Sequence, residues 1–340
     1  MKAALLRGPR ELELVEMDQP YPGPGQVVVR VRAGGICGSD VHAYRGSSAF
    51  QVYPAIPGHE VAGEVTRLGA DVTGLSPGDH VVLDPMLRCG QCYPCRVGRY
   101  NCCTRLQVMG VHTDGGFRQY LTVDQGQLHR ISPEVPFETA ALIEPLCIGG
   151  QSVSRGRVSA EDSVLILGAG TIGLAALLLA RQEGARVASV DLIPDKLEVA
   201  RSLGADLTIN AADEDVARAV LDWTGGEGPT VVIEAVGTVR TTRAALDYVG
   251  SAGRVVIVGI TTQEVPLPVP LLVRKELDVI ASRNSREQFR RIIRLVESGQ
   301  VDPRPLISHR FPFERVGAAF ALIEEQPQAT RKVVLTMDSG

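Results

Sequence analysis

What the sequence has little of narrows its function first. It has no excess of basic charge: 35 Lys and Arg stand against 39 Asp and Glu, a net charge of −4. That balance argues against the cationic surface a nucleic-acid partner requires. Long apolar runs are also missing. The most apolar helix candidate, residues 172–180, is about half the length needed to cross a bilayer. The opening Met1-Lys2-Ala3-Ala4-Leu5-Leu6-Arg7 meets charge before a signal-length apolar core develops. Aromatic residues are few, at 4%, and no low-complexity tract or solenoid repeat is present. The chain therefore reads as a cytoplasmic protein, and its seven cysteines read as thiolate ligands rather than disulfides.

What is present has two textures. At 340 residues the chain exceeds one typical domain. The first half is β-rich and broken by Gly and Pro. Residues 27–31 and 81–83 read as short strands, the second following the turn Ser76-Pro77-Gly78-Asp79. Near residue 150 the pattern changes. Strand-length apolar runs at 163–167, 186–190, 230–235 and 254–258 alternate with helical stretches at 171–183 and 194–203. Such alternation predicts βαβ units around a parallel sheet. A helix over 286–298 ends at Gly299, and 332–336 returns to strand.

Gly168-Ala169-Gly170-Thr171-Ile172-Gly173 follows the first of those strands and opens a helix. In that setting Gly168 permits the tight turn, Gly170 lets backbone approach a pyrophosphate, and Gly173 allows close packing of helix on strand. The anion would rest on free amides at the helix N-terminus. A second strand ends at Asp191, where a carboxylate accepts from an adenosine 2′-hydroxyl and repels a 2′-phosphate. No arginine follows in Asp191-Leu192-Ile193-Pro194, which favours NAD over NADP. A structural turn with a surface aspartate is the plainer alternative.

Cys89, Cys92, Cys95 and Cys103 form C-x2-C-x2-C-x7-C. Four soft thiolates so close suit a closed tetrahedral zinc site. An iron–sulfur cluster is the alternative, and spacing does not choose between Cys103 and its neighbour Cys102. Cys37, His59, Glu60 and Glu144 are a second, less local set of metal-ligand types. A mixed shell of this kind leaves a coordination position open, as catalytic zinc requires. Taken singly, a lone Cys is ordinary core and a lone His-Glu ordinary surface, and spacing does not pair them.

At Gly58-His59-Glu60-x-x-Gly63-x5-Gly69-x-x-Val72 the chain resembles the zinc-containing medium-chain alcohol dehydrogenases. The cysteine quartet, the glycine motif and Asp191 extend the resemblance over nearly the whole chain. It implies an α/β protein: a GroES-like catalytic domain over 1–147 and 286–340, and a Rossmann domain over 148–285. Cys37, His59 and Glu144 would stand at the catalytic zinc, with Glu60 an alternating ligand and Asp40 orienting the histidine. Ser39 and His42 would relay the alcohol proton. Lys196 would join the cofactor site, and Lys332 would meet the pyrophosphate, although Arg331 beside it is an equal candidate.

Glu144-Pro145-Leu146, where simpler alcohol dehydrogenases have cysteine, resembles the polyol branch that includes sorbitol and threonine dehydrogenases. Cys89-Gly90-Gln91-Cys92-Tyr93-Pro94-Cys95, Val111-His112-Thr113-Asp114-Gly115-Gly116-Phe117 and Ser282-Arg283-Asn284 resemble L-galactonate, L-gulonate and L-idonate 5-dehydrogenases. The expected activity is zinc-dependent, NAD-linked oxidation of a secondary alcohol of a polyol or sugar acid. Arg45 or Arg283 would meet a substrate carboxylate. An amino alcohol such as L-threonine is the competing substrate. A non-enzymatic NAD-binding protein would not need Cys37, Ser39, His59 and Glu144 together, and a quinone-reductase-like member would lack the metal residues. Partners are a small molecule and, by resemblance, further copies in a homotetramer.

Overall fold

The computed structural model describes residues 1–48 and 50–337. The chain forms two compact units. One comprises Met1–Glu144, Phe289–Gly299 and Ile307–Gly340; the other Pro145–Gln288 and Gln300–Leu306. The chain passes between the units at 144/145 and 288/289. The segment Gln300–Leu306 groups with the second unit.

In the first unit the long strand Gln26–Ile36 organises a seven-stranded sheet. It pairs antiparallel with Glu60–Leu68, with Tyr120–Asp124 and with the late strand Lys332–Thr336. Val27, Val29, Val31, Val61, Val65, Val81, Phe117, Leu121 and Leu335 form its apolar core. β-Branched residues dominate because they pack well on a pleated, buried face.

The second unit holds six parallel strands: β1 (Ser163–Leu167), β2 (Arg186–Asp191), β3 (Leu207–Asn210), β4 (Val231–Glu234), β5 (Arg254–Ile257) and β6 (Asp278–Ala281). Their spatial order is β3-β2-β1-β4-β5-β6, the doubly wound arrangement of dinucleotide-binding folds. The crossover helices begin where the sequence says they should: Thr171–Gln182 after the glycines and Pro194–Ser202 with proline in its first turn. The helix expected over 286–298 is shorter, Phe289–Glu297, and buries Phe289, Ile292, Ile293 and Val296 on one stripe. Among the described residues no helix is long and apolar enough to cross a membrane.

Candidate active site and metal centres

Strand register assembles the first site. Cys37 directly follows the strand Gln26–Ile36 and precedes the helix Gly38–Arg45. In the antiparallel pairing Gly35 faces Glu60, and Ile36 faces Val333. Three segments distant in sequence therefore deliver Cys37, His59-Glu60 and Lys332 to one place. Cys37 Sγ, a ring nitrogen of His59 and a carboxylate oxygen of Glu60 lie within 4.8 Å of one another. Gly35 makes room for this: a Cβ there would stand 2.0 Å from Glu60 Oε2.

Asp40 braces the group from behind. Its Oδ2 accepts the Cys37 N–H at 2.8 Å, its Oδ1 the Gly58 N–H at 3.1 Å, and the same Oδ1 stands 3.7 Å from His59 Nδ1. The electrostatics favour a bound cation. Burial opposes charge on His59, yet Cys37, Asp40 and Glu144 outweigh it and hold the imidazole well above its usual pKa. A thiolate, an imidazole and carboxylates drawn this close are a donor set suited to zinc with an open position. Glu144 lies outside the 4.8 Å triplet. Burial pushes its carboxyl up to about 7, against the pull of His59.

The second cluster is Cys89, Cys92, Cys95 and Cys103, again within 4.8 Å. Cys92 Sγ lies 3.4 Å from Cys95 Sγ and 3.7 Å from Cys103 Sγ, close to the ~3.8 Å edge of a tetrahedron with ~2.3 Å Zn–S bonds. A 3₁₀ turn at Tyr100–Cys102 precedes Cys103, whose Sγ lies in the cluster, while Cys102 is not part of it. The N–H groups of Gln91 and Cys92 draw Cys89 down to about 5. Burial and the neighbouring thiols push Cys95 up to about 12. Four sulfur donors this close suit a dication, whose charge would balance theirs.

In the second unit the glycine turn has the shape of a phosphate cradle. Gly168 has φ +101. A Cβ on Gly173 would stand 1.7 Å from the Gly168 carbonyl, whereas one on Gly170 would meet nothing within 4 Å. Gly173 is thus required by packing, and Gly170 faces open space where a ligand would lie. Thr171 and Ile172 follow in the first helical turn, half-buried. Asp191 Oδ2 accepts the Ala169 N–H at 2.7 Å, and its Oδ1 accepts those of Leu192 and Ile193 at 2.8 and 3.1 Å. A carboxylate has about four acceptor positions, so capacity remains for a ribose hydroxyl. These residues fit a dinucleotide.

Residues 23–133 match the alcohol dehydrogenase GroES-like domain, and residues 171–298 match the zinc-binding dehydrogenase domain. The chain belongs to the zinc-type medium-chain alcohol dehydrogenase family. L-Threonine 3-dehydrogenase of Pyrococcus horikoshii is 37% identical over 96% of this chain and 95% of its own. L-Galactonate-5-dehydrogenase of Escherichia coli K12 is 34% identical over 94% of each. The NADH complex of RspB from E. coli CFT073 is 34% identical and aligns with a TM-score of 0.94 over 99% of both chains.

Within this dehydrogenase one expectation is corrected. Lys332 does not present its ammonium to a pyrophosphate. It is 2% exposed, and its Nζ donates to Glu60 Oε1 and Oε2 at 2.5 and 2.7 Å and to the Ile36 carbonyl at 3.1 Å. All three N–H bonds of an ammonium are thereby used. Burial disfavours its charge, but Glu60 outweighs that and raises its pKa. Ser39 is half-buried in the first turn of its helix, while His42 is exposed with Nδ1 2.9 Å from Ser47 Oγ. Lys196 is half-buried in the helix after Asp191. Arg45 is engaged by Glu324 at 2.5 Å. Sequence reasoning missed the demand on Gly35 and the Glu60–Lys332 pair. The only signal for either was a register that cannot be read before the strands are paired.

Proposed function

We propose that this dehydrogenase oxidises a secondary alcohol of a polyol or sugar acid to the ketone, with NAD as acceptor. The observation that carries the reading is the half-buried carboxyl of Glu144, whose charge is felt by His59 and Glu60, in place of a further thiolate. It is supported by the full-length similarity to L-galactonate-5-dehydrogenase. Cys37, His59 and Glu60 would hold the catalytic zinc, and Cys89, Cys92, Cys95 and Cys103 the second ion. Gly168, Gly170, Thr171, Ile172, Gly173 and Asp191 would hold NAD, with Lys196 alongside.

When bound, zinc acidifies an alcohol hydroxyl and NAD takes up a hydride. The chain's own residues do the rest. Asp40 fixes Cys37 and Gly58 through their N–H groups, and so fixes the segment that carries His59. Ser39 would receive the hydroxyl proton, and His42, exposed at the surface, would hand it to solvent. Lys332 balances Glu60 whenever that carboxylate is not needed elsewhere.

The test is NADH formation at 340 nm with sorbitol, xylitol, L-idonate, L-galactonate, L-gulonate and L-threonine. Preference for a polyol or aldonate supports the proposal. The 37% identity to L-threonine 3-dehydrogenase favours a second reading, an amino alcohol substrate, and turnover of threonine alone would establish it instead.

A further inference from the structure

Glu234 ends β4 and is 0% exposed. Its Oε1 accepts three donors: the N–H groups of Val236 and Gly237, each at 2.9 Å, and the Thr241 hydroxyl at 2.8 Å. Its main-chain carbonyl accepts the N–H groups of Val258 and Gly259, at 2.9 and 3.0 Å, just beyond β5. One residue therefore ties together the loops that follow β4 and β5. Those loops also touch backbone to backbone, since a Cβ on Gly237 (φ +82) would stand 2.6 Å from the Ile260 nitrogen.

The other oxygen is the anomaly. Oε2 is buried and has no hydrogen-bond partner, and it lies 2.7 Å from where a Cβ of Gly259 would be. An unpaired buried carboxylate oxygen is costly. Three donors converging on Oε1 call for charge, because ionised acceptors make hydrogen bonds about twice as strong as neutral ones. The fold tolerates Oε2 for the sake of Oε1.

Place decides what the device serves. The glycine turn follows β1 and Asp191 ends β2, so the adenosine half of a dinucleotide belongs over β1, β2 and β3. The remaining nucleotide then runs over the ends of β4 and β5, the other half of the doubly wound sheet. There Val236 is 47% and Ile260 86% exposed, two apolar side chains carried on the loops that Glu234 ties. Val236 also abuts the glycine turn: its Cγ2 lies 2.8 Å from where a Cβ on Gly168 would stand.

We propose that Glu234 is a positioning residue that sets the β4 and β5 loops as the platform for the nicotinamide half of the cofactor. This rests on the dinucleotide reading of the glycine turn. The test uses the zinc-loaded full chain, with NADH and AMP titrated separately into wild type, Glu234→Gln and Thr241→Val. Glu234→Gln is expected to weaken NADH at least ~10-fold, the size of one charge-assisted hydrogen bond, and to leave AMP within about twofold. Thr241→Val, which removes one of the three donors, is expected to weaken NADH by roughly 3-fold with AMP unchanged. If NADH and AMP weaken together, or neither weakens, the positioning role is overturned. If Glu234→Gln does not fold, Thr241→Val decides by the same ratio. Wild type that binds neither ligand defeats the dinucleotide reading and this proposal with it; wild type that binds both, with an unchanged ratio in the variants, defeats only the role of Glu234.

Discussion

Replacing Lys332 with methionine removes one partner of a buried ion pair and leaves the other in place. Lys332 is 2% and Glu60 1% exposed, so solvent can do little for the orphaned carboxylate. Breaking such a pair from one side costs about 3–5 kcal/mol. At ~2–4 °C per kcal/mol for a domain of this size, the melting temperature should fall on the order of 10 °C. The loss should be largest without zinc, because a metal beside Glu60 supplies the positive charge that Lys332 no longer does. Glu60→Gln in the same background removes the stranded charge and should recover most of the stability. The assay is thermal unfolding of wild type, both single variants and the double variant, each with zinc and after chelation. A drop under about 1 kcal/mol for Lys332→Met, or no recovery in the double variant, would refute the assignment of Lys332 as the counter-ion of Glu60.

Three further outcomes are expected. Cys103→Ser should lower bound zinc from two ions to one per chain by atomic absorption and reduce thermal stability, whereas Cys102→Ser should leave the zinc content unchanged. Asp191→Ser should raise the KM for NAD by roughly 10- to 100-fold, the range of a lost hydrogen bond to a charged group, and should narrow the preference over NADP in initial-rate kinetics. His129, stacked on Phe289 with ring centroids 4.7 Å apart, is pushed down to about 4 by burial and by Arg290 and Arg88. The folded state therefore refuses a proton that the unfolded chain accepts near pH 6.5. Its contribution is intact above that pH and is lost as pH falls through 6.5 towards 4, by about 3 kcal/mol at the bottom of the window. Denaturant titrations from pH 7 to 4 should show a shallower acid limb in His129→Phe.

Local features of the fold were legible because short-range physics produces them. The strand at Ser163–Leu167, its glycine turn and the helix from Thr171 follow from an apolar run, a backbone needing positive φ and a helical period in immediate succession. The cysteine cluster was legible for the same reason, except at Cys102-Cys103. There the outcome depends on a single 3₁₀ turn that no spacing rule encodes. The Cys37–His59–Glu60 group was different. Cys37 and His59 are brought together by a register between strands, and only likeness to a family paired them. Lys332 was misread for the same reason: a lysine near the C-terminus looks solvated until its strand is laid beside Ile36. Glu234 gave no signal, since a glutamate ending an apolar strand differs little from one on the surface.

The pairing of Glu60 with a lysine 272 positions later also has a timetable. At about 5–20 residues per second of synthesis, on the order of 15 to 50 s separate the appearance of the carboxylate from that of its ammonium. Through that interval the nascent chain carries the thiol, the imidazole and the carboxylate without the strand that closes over them, while the whole β1–β6 sheet emerges in between. A nascent chain stopped short of residue 332 lacks both the ammonium that pairs with Glu60 and the strand that pairs with Ile36, so the finished geometry around Glu60 is reached only after that last strand has emerged.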